Sequence, residues 1–495
     1  MARSIGRALV PIRRFPLDAI VLDRSSDDPL QRQLYKSVKA LIQQNVLPAN
    51  SVLPSTRELA ADLKLGRNTV IAAYDQLITE GFLRNRPGAR PTTVEFPVLH
   101  AAPPFRADGF AGLSRRGRTM ATQPFHYGQP RQVAFHPGMP DAAHFPFALL
   151  SRLIAKRAKF ARGDLFGTYH TTGHPELRAA IATYLRTARA VNCSTEQIVV
   201  TTGAQASLDL LARLFLDPGD CVWMEEPGYY GAHSAVVAAG GVLEPLFVDS
   251  GGWRLEREPA KDPRLIYITP SCQHPLGMTM PVEQRLRVLE IARIRGAFIV
   301  EDDFDGEYRF LGQPVPSLQG YDQSGHVIYV GTFAKILFPA LRLGFMVAPP
   351  GSAPKVERAL TITGQFAPLL LQAALADFIE QGHMARHLRR MRRIYAQRRQ
   401  LFYRLCEAEL GRDIELSQND AGIQIAGALT FQGDDSAICE EARRLGVNVS
   451  PLSMQYRHGA PVHGLLLGYA ACDEPTTRKG LRLLKIAFKN ARARA

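Results

Sequence analysis

Apolar residues near the start of the chain recur with helical spacing. In PLQRQLYKSVKALIQQNVL, which begins at Pro29, Leu30, Leu34, Val38, Leu41 and Ile42 form a single stripe, and Pro48 ends the segment. In LPSTRELAADLKL, Ser55 stands as an N-cap with Glu58 one turn on, the two halves of a capping box, while Leu59 and Leu63 face inward. After a turn at Gly66, RNTVIAAYDQLITEGFL puts Val70, Ala73, Tyr74 and Leu77 on the buried side and leaves Arg67, Asn68, Thr69 and Ala72 on the open side. Two short helices joined by a tight turn predict a helix-turn-helix. Its second helix opens on residues that read base edges, Arg pairing with guanine and Asn with adenine. Past Gly81, FLRNRPGARPTTVEF predicts a two-stranded wing offering Arg84, Arg86 and Arg90 to phosphate or the minor groove. A small helical bundle with a polar face is the competing reading of the same pattern.

From 97 to 131 the periodicity stops. Pro103-Pro104 and the run SRRGR at 114–118 predict a basic linker, either lying on DNA phosphates or simply solvated. Beyond it, the strand-like runs QIVVTTG, CVWMEEP, LIYITP, AFIVEDD and HVIYVGT alternate with amphipathic stretches such as 204–216 and 282–295. Such alternation predicts an α/β unit with a mainly parallel sheet and its chemistry at the strands' C-terminal ends. Segment 383–404, HMARHLRRMRRIYAQRRQLFYR, predicts a helix with a buried stripe of Met384, Leu388, Met391, Tyr395, Leu401 and Phe402. Its arginines form either a solvated face or a surface for bent DNA.

At 495 residues the chain is long enough for two to four domains of about 150 residues each. Hydrophobic content of 46% with 21% charged residues suits a globular protein, and a net charge of +14 favours an anionic partner, nucleic acid first. An arginine-rich proteome is the plain alternative. The six cysteines form no CxxC pair, which argues against zinc and disulfides and fits a reducing cytosol. The longest apolar stretch, 208–216, is broken by Asp209 and Arg213, so no membrane span is expected. MARSIGRALVPIRR has positive charge but no apolar core of a secretory signal, and a cytoplasmic protein with no metal site is expected.

Candidate chemistry appears at each strand end in turn. Gly203, Ala204 and Gln205 open a helix whose free amides suit a phosphate. Tyr229 follows the next strand and offers a ring for stacking. Then come His274, the carboxylate pair Asp302 and Asp303, and finally Thr332, Lys335 and Arg342 in HVIYVGTFAKILFPALRLG. A partly desolvated lysine attacks aldehydes as the neutral amine, while a hydroxyl and a guanidinium hold phosphate. Each residue alone also fits a helix cap, a core ring or a surface lysine. Together they supply the phosphate cradle, stacking face, pyridine-nitrogen partner and Schiff-base amine that pyridoxal 5'-phosphate (PLP) requires.

Two resemblances sharpen these expectations. Over 28–96 the pattern PL..QLY, LPSTRELA, RNTV, AYDQL and EGFL resembles the winged helix of GntR-type repressors, which implies that Arg57, Arg67, Asn68 and Thr69 contact double-stranded DNA. The family's usual Pro-Gly is Ala49-Asn50 here, and its usual serine is Gly66, removing a hydroxyl cap or phosphate contact. Over 132–490, HPGMPD, TTGAQASLDLLA, EEPGYYGA, EDDFDGEYRF, YVGTFAKILFPALRLGF and GLLLGYA resemble class I aminotransferases of fold-type I. The order winged helix (28–96), linker (97–131), aminotransferase-like domain (132–490) is that of MocR-type regulators. The implied fold is α/β: an N-terminal winged helix-turn-helix, a large fold-type I domain with a mainly parallel sheet, and a smaller C-terminal α+β subdomain.

The same resemblance implies that Lys335 forms the Schiff base with PLP, that Asp302 pairs with the pyridine nitrogen and that Tyr229 stacks on the ring. Gly203, Ala204, Gln205, Thr332 and Arg342 hold the phosphate, and Tyr169 reaches the neighbouring subunit's phosphate in a homodimer with shared sites. Phe304 stands where the family often has a tyrosine for the cofactor's phenolic oxygen, and His274, where relatives place an asparagine, is expected to take over. No arginine for an α-carboxylate lies beside GLLLGYA, where the chain has His463-Gly464 and Arg457 is nearest. The expected function is a PLP-dependent DNA-binding transcription regulator that senses a small amine or amino-acid effector, or PLP itself. The alternative is an active aminotransferase with an appended DNA-binding domain.

Overall fold

The computed structural model describes residues 15–86, 88–95, 112–123, 134–160, 165, 167, 169–310, 315–419 and 421–492. The chain divides into two compact units, Met1–Gly112 and Leu113–Ala495.

In the first unit, α1 (Leu30–Gln43), α2 (Thr56–Asp62) and α3 (Arg67–Thr79) precede an antiparallel pair, β1 (Leu83–Arg84) and β2 (Thr92–Thr93). The helical stripes converge as expected: Leu34, Val38, Leu41, Leu59, Val70, Ala73, Tyr74 and Leu77 share one core, whereas Leu63 is only partly buried against it. The capping box forms, with Ser55 Oγ accepting from the Glu58 amide and Glu58 accepting from the Ser55 amide at 3.0 Å. Glu80, just past α3, accepts from Tyr35 (2.5 Å) and Lys39 (2.8 Å) of α1, tying the two helices together.

The second unit is built on an eight-stranded sheet: β3 (Ile198–Thr201), β4 (Cys221–Glu226), β5 (Val242–Asp249), β6 (Gly252–Trp253), β7 (Leu265–Ile268), β8 (Phe298–Asp303), β9 (Val327–Thr332) and β10 (Gly344–Val347). The spatial order is β3-β10-β9-β8-β7-β4-β5-β6. Strands β5, β4, β7, β8 and β9 run parallel, while β10 lies antiparallel between β9 and β3, and β6 hairpins onto β5. β4, β7 and β9 are buried throughout because cores lie on both faces of the sheet, which is why they are near-continuous apolar runs. A smaller antiparallel sheet, β11 (Ile414–Leu416), β12 (Gln424–Leu429), β13 (Ser450–Pro451) and β14 (Gly464–Gly468), has the order β11-β12-β14-β13.

The helix His383–Leu410 leads into this smaller sheet. It buries Met384, Leu388, Met391, Tyr395 and Phe402 as the pattern predicts, and adds His387, Leu405, Cys406 and Leu410. Leu401 is only partly buried. The expected linker differs in one respect: SRRGR contributes to a short helix, Arg115–Ala121, N-capped by Ser114. Residues 97–111 and 124–131 of that stretch lie outside the described residues. Among the described residues no helix is long and apolar enough to cross a membrane.

Candidate functional site

The first unit presents a polar face where the turn between α2 and α3 ends. Arg57, Arg67 and Asn68 are exposed and Thr69 is partly so, while the neighbouring Leu59 and Val70 are buried and anchor the face. Gly66 caps α3 without a side-chain acceptor, leaving the first amides of the helix open. On the wing, Arg84 and Arg86 are exposed, but Arg90 is engaged by Glu58 at 2.6 Å.

In the second unit, turns at the C-terminal ends of β3, β4, β7, β8 and β9 carry the other candidates. After β3, Gly203 caps the helix Ala204–Phe215 with φ 118°, a conformation that favours glycine, and the backbone of Gly344 in β10 lies so close behind that a Cβ there would meet Gly203. Gln205 turns its amide nitrogen onto Gly231 O at 2.8 Å and leaves Oε1 buried without a partner. Tyr229 follows β4 and meets the His274 ring edge-on at 5.4 Å. Thr332, at the end of β9, caps the turn by accepting from the Ala334 amide at 3.1 Å, which leaves its hydroxyl proton available to donate. Arg342 follows at φ 53° on the exposed side.

Lys335 sits one turn beyond Thr332, and its Nζ donates to Gly138 O at 2.6 Å. A Cβ at Gly138, which has φ 64°, would collide with that nitrogen, so the glycine of HPGMPD makes room for the lysine. Burial lowers the Lys335 pKa, and the charges of Asp305 and Asp302 oppose the shift. Asp302 accepts from Tyr267 Oη at 2.8 Å through Oδ2, while Oδ1 is buried with no partner. Burial raises its pKa to about 7, with Tyr267 and Lys335 opposing and Asp303 adding to the rise. Asp303 is held differently, by Arg189 (2.6 Å) and the Tyr329 hydroxyl (2.6 Å).

His274 is enclosed by two amides. Gln424 Nε2 lies 3.2 Å from its Nδ1 and Gln455 Oε1 lies 3.3 Å from its Nε2. Those contacts select the tautomer protonated on Nε2. Burial pulls the imidazole pKa down to about 4, so the ring is neutral at ordinary pH. Phe304 packs against it edge-on at 5.7 Å. Segment 453–458 closes this side: Gln455 O accepts from the Gly228 amide, Glu226 accepts from the Arg457 and His458 amides, and the Arg457 guanidinium lies over Tyr230 at 4.4 Å. His463 approaches Asp435 at 3.3 Å. Tyr169 is 81% exposed and packs near Phe366.

The fold thus brings Tyr229, His274, Asp302, Thr332 and Lys335 to one set of strand ends, with Gly203 to Gln205 beside them, and leaves Tyr169 facing outward. Gly138, Asp305, Gln424 and Gln455 join the site without having been singled out in the sequence. Gly138 and Asp305 lie inside the motifs HPGMPD and EDDFDGEYRF, and Asp305 is buried, accepts from the Ile423 amide at 3.1 Å and keeps Oδ1 unpaired. The two glutamines come from the smaller sheet and its loop, and no local pattern marks them.

A family profile described as "Aminotransferase class I and II" matches residues 142–457, and one described as "Bacterial regulatory proteins, gntR family" matches residues 30–94. The chain is 48% identical over 471 residues to a "Probable rhizopine catabolism regulatory protein MocR" of Rhizobium meliloti, covering 95% of this chain and 96% of that protein. It is 29% identical to the "HTH-type pyridoxine biosynthesis transcriptional regulator PdxR" of Corynebacterium glutamicum, covering 93% and 96%. Among solved structures, the α-aminoadipate aminotransferase LysN of Thermus thermophilus, complexed with N-(5'-phosphopyridoxyl)-L-leucine, superposes with a TM-score of 0.67 at 28% identity, covering 74% of this chain and 94% of that one.

Proposed function

Because the chain belongs to the MocR-type transcription regulators, in which a GntR winged helix precedes an aminotransferase-like domain, we propose that it binds PLP at Lys335 and uses that site to sense a small amine or amino-acid effector, or PLP itself. On this reading residues 28–96 bind operator DNA through Arg57, Arg67, Asn68 and Thr69, residues 97–131 link the domains, and residues 132–490 hold the cofactor. The observation that carries it is the pairing of a lysine amine whose pKa burial lowers with a carboxylate oxygen, Asp302 Oδ1, that is buried and has no partner. An unsatisfied acceptor of this kind costs about 1–3 kcal/mol, which a pyridinium N–H would offset.

The donor set fits the cofactor. Lys335 supplies the amine, Asp302 the acceptor for the ring nitrogen and Tyr229 the stacking face. The Gly203–Gln205 amides, the Thr332 hydroxyl and Arg342 supply the phosphate seat, and Tyr169 serves the phosphate of a partner subunit in a homodimer. When bound, PLP supplies an aldehyde that exchanges one amine for another. Gly138 O orients Lys335 Nζ, the charges of Asp305 and Asp302 favour its protonated form, and His274, protonated on Nε2, would be the donor for the cofactor's phenolic oxygen in place of the hydroxyl that Phe304 lacks. The short strand β14, GLLLG, offers no cation for an α-carboxylate, which favours sensing over a full transamination cycle. Such a regulator works in the cytoplasm.

The test uses full-length protein stripped of cofactor and titrated with PLP. Wild type should gain a visible absorbance band and change its affinity for the DNA upstream of its own gene, and Lys335→Ala should do neither. A Lys335→Ala protein with the wild-type band rejects the site. Sustained turnover of an amino donor and a keto acceptor, with no sequence-specific DNA affinity, favours the aminotransferase alternative.

A further inference from the structure

The helix His383–Leu410 carries a cluster of exposed arginines away from its buried stripe: Arg386, Arg389, Arg390 and Arg393. Their spacing of three and four residues keeps them on one face over about 10 Å of helix at ~1.5 Å per residue. Together they line an open depression of about 510 Å³. Elsewhere in the unit, four exposed helical arginines are laced to acids one turn away: Arg213 to Asp209, Arg293 to Glu290, Arg444 to Glu440 and Arg478 to Glu474, all within 2.9 Å. This face has no such lacing. No acidic residue occurs between Gln381 and Cys406, and among the described residues none of the four makes an ion pair. Arg386 contacts Gln381 O at 3.2 Å and the His383 ring at 2.5 Å, neither of them acidic.

The arrangement is costly for the fold. Arginines at i, i+4 repel one another, and Arg386 stands in the first turn, at the positive end of the helix dipole. The same features concentrate positive potential on one surface. We propose that this face is a second DNA contact, which takes the phosphates of duplex DNA independently of sequence. Guanidinium groups pair bidentately with phosphate, and about 10 Å spans roughly three phosphates of one strand at ~3.4 Å each. The cluster contains no exposed aromatic or large aliphatic side chain, the anchor that a protein partner would require. The DNA is already present on the same polypeptide, held by the GntR domain.

The test is a salt titration of full-length, PLP-loaded protein on a random-sequence duplex of about 150 base pairs, long enough to offer many phosphates beyond a winged-helix site. Replacing Arg386, Arg389, Arg390 and Arg393 by glutamine should reduce the slope of log affinity against log salt by roughly 2–3, since each phosphate contact contributes about 0.9. Affinity near ~0.1 M salt should fall tenfold or more. The corresponding lysine variant should keep most of the slope, and Arg389→Gln/Arg393→Gln should show about half of the full decrease. A charge-matched control with Arg213, Arg293, Arg444 and Arg478 replaced by glutamine should bind as wild type. An unchanged slope in the first variant overturns the proposal. So does an equal loss in the control, which would assign the effect to net charge, or an equal loss in the lysine variant, which would assign it to the fold.

Discussion

Asp302 combines two states that ordinary solution chemistry keeps apart: a buried carboxyl with one oxygen bonded to Tyr267 and the other bonded to nothing. Its pKa rises from 3.8 to about 7, first through burial. Below pH ~4 the group is protonated in folded and unfolded chains alike. Between pH ~4 and ~7 the unfolded chain releases the proton and the folded chain keeps it, so stability falls across that window and the full cost stands above it. Cofactor-free Asp302→Asn should therefore be more stable than wild type at pH ~8, by at most about 4 kcal/mol, and no more stable at pH ~4; paired thermal melts measure the difference. If Asp302 pairs with the PLP ring nitrogen as proposed, the sign reverses with the cofactor bound, and affinity should drop at least tenfold. Gly138→Ala tests the opposite wall. Its Cβ would occupy the place of Lys335 Nζ at a positive φ, so cofactor affinity should fall more than tenfold in an absorbance titration while DNA binding by the winged helix survives. Lys335 and Asp302 were legible because each lies at or just past a strand end. Gln424 and Gln455 were not, since they reach His274 from 150 and 181 residues away.

At the scale of elements, the two helices that carry DNA recognition are capped unequally. Ser55 closes α2 with a full capping box, whereas Gly66 opens α3 with no side-chain acceptor in a backbone conformation, φ −66° and ψ 139°, that serine also adopts. Ser55→Ala should cost about 1 kcal/mol, and Gly66→Ser should gain a few tenths of a kcal/mol. Amide hydrogen exchange in α2 and α3 of the full-length protein reads both, with protection falling several-fold in the first and rising up to about twofold in the second. Capping is a local rule, which is why Ser55 and Glu58 could be named from the sequence alone. The same holds for β3, β4, β7, β8 and β9, whose apolar runs reflect burial on both faces. β10 and the smaller sheet follow no local rule. β10 is placed by its antiparallel pairing with β3 and β9, and β12 by pairing with β14, contacts that only the folded chain makes.

At the scale of the whole molecule, Tyr169 poses a problem that one chain does not solve. It is 81% exposed and packs near Phe366. On the proposed reading, Tyr169 serves the cofactor phosphate of a partner subunit. In a shared-site homodimer each site then combines Lys335 of one chain with Tyr169 of the other, and this arrangement predicts complementation. Tyr169→Phe dimers should hold PLP weakly at both sites, and Lys335→Ala dimers should show no visible band. Mixed dimers pair the intact Lys335 of the first chain with the intact Tyr169 of the second, so one site per dimer regains wild-type affinity. The other site lacks both groups and stays dark. Absorbance titration of a tagged, purified mixed dimer should show half the wild-type amplitude at wild-type affinity. Half the amplitude at the weak Tyr169→Phe affinity would instead mean that each chain completes its own site.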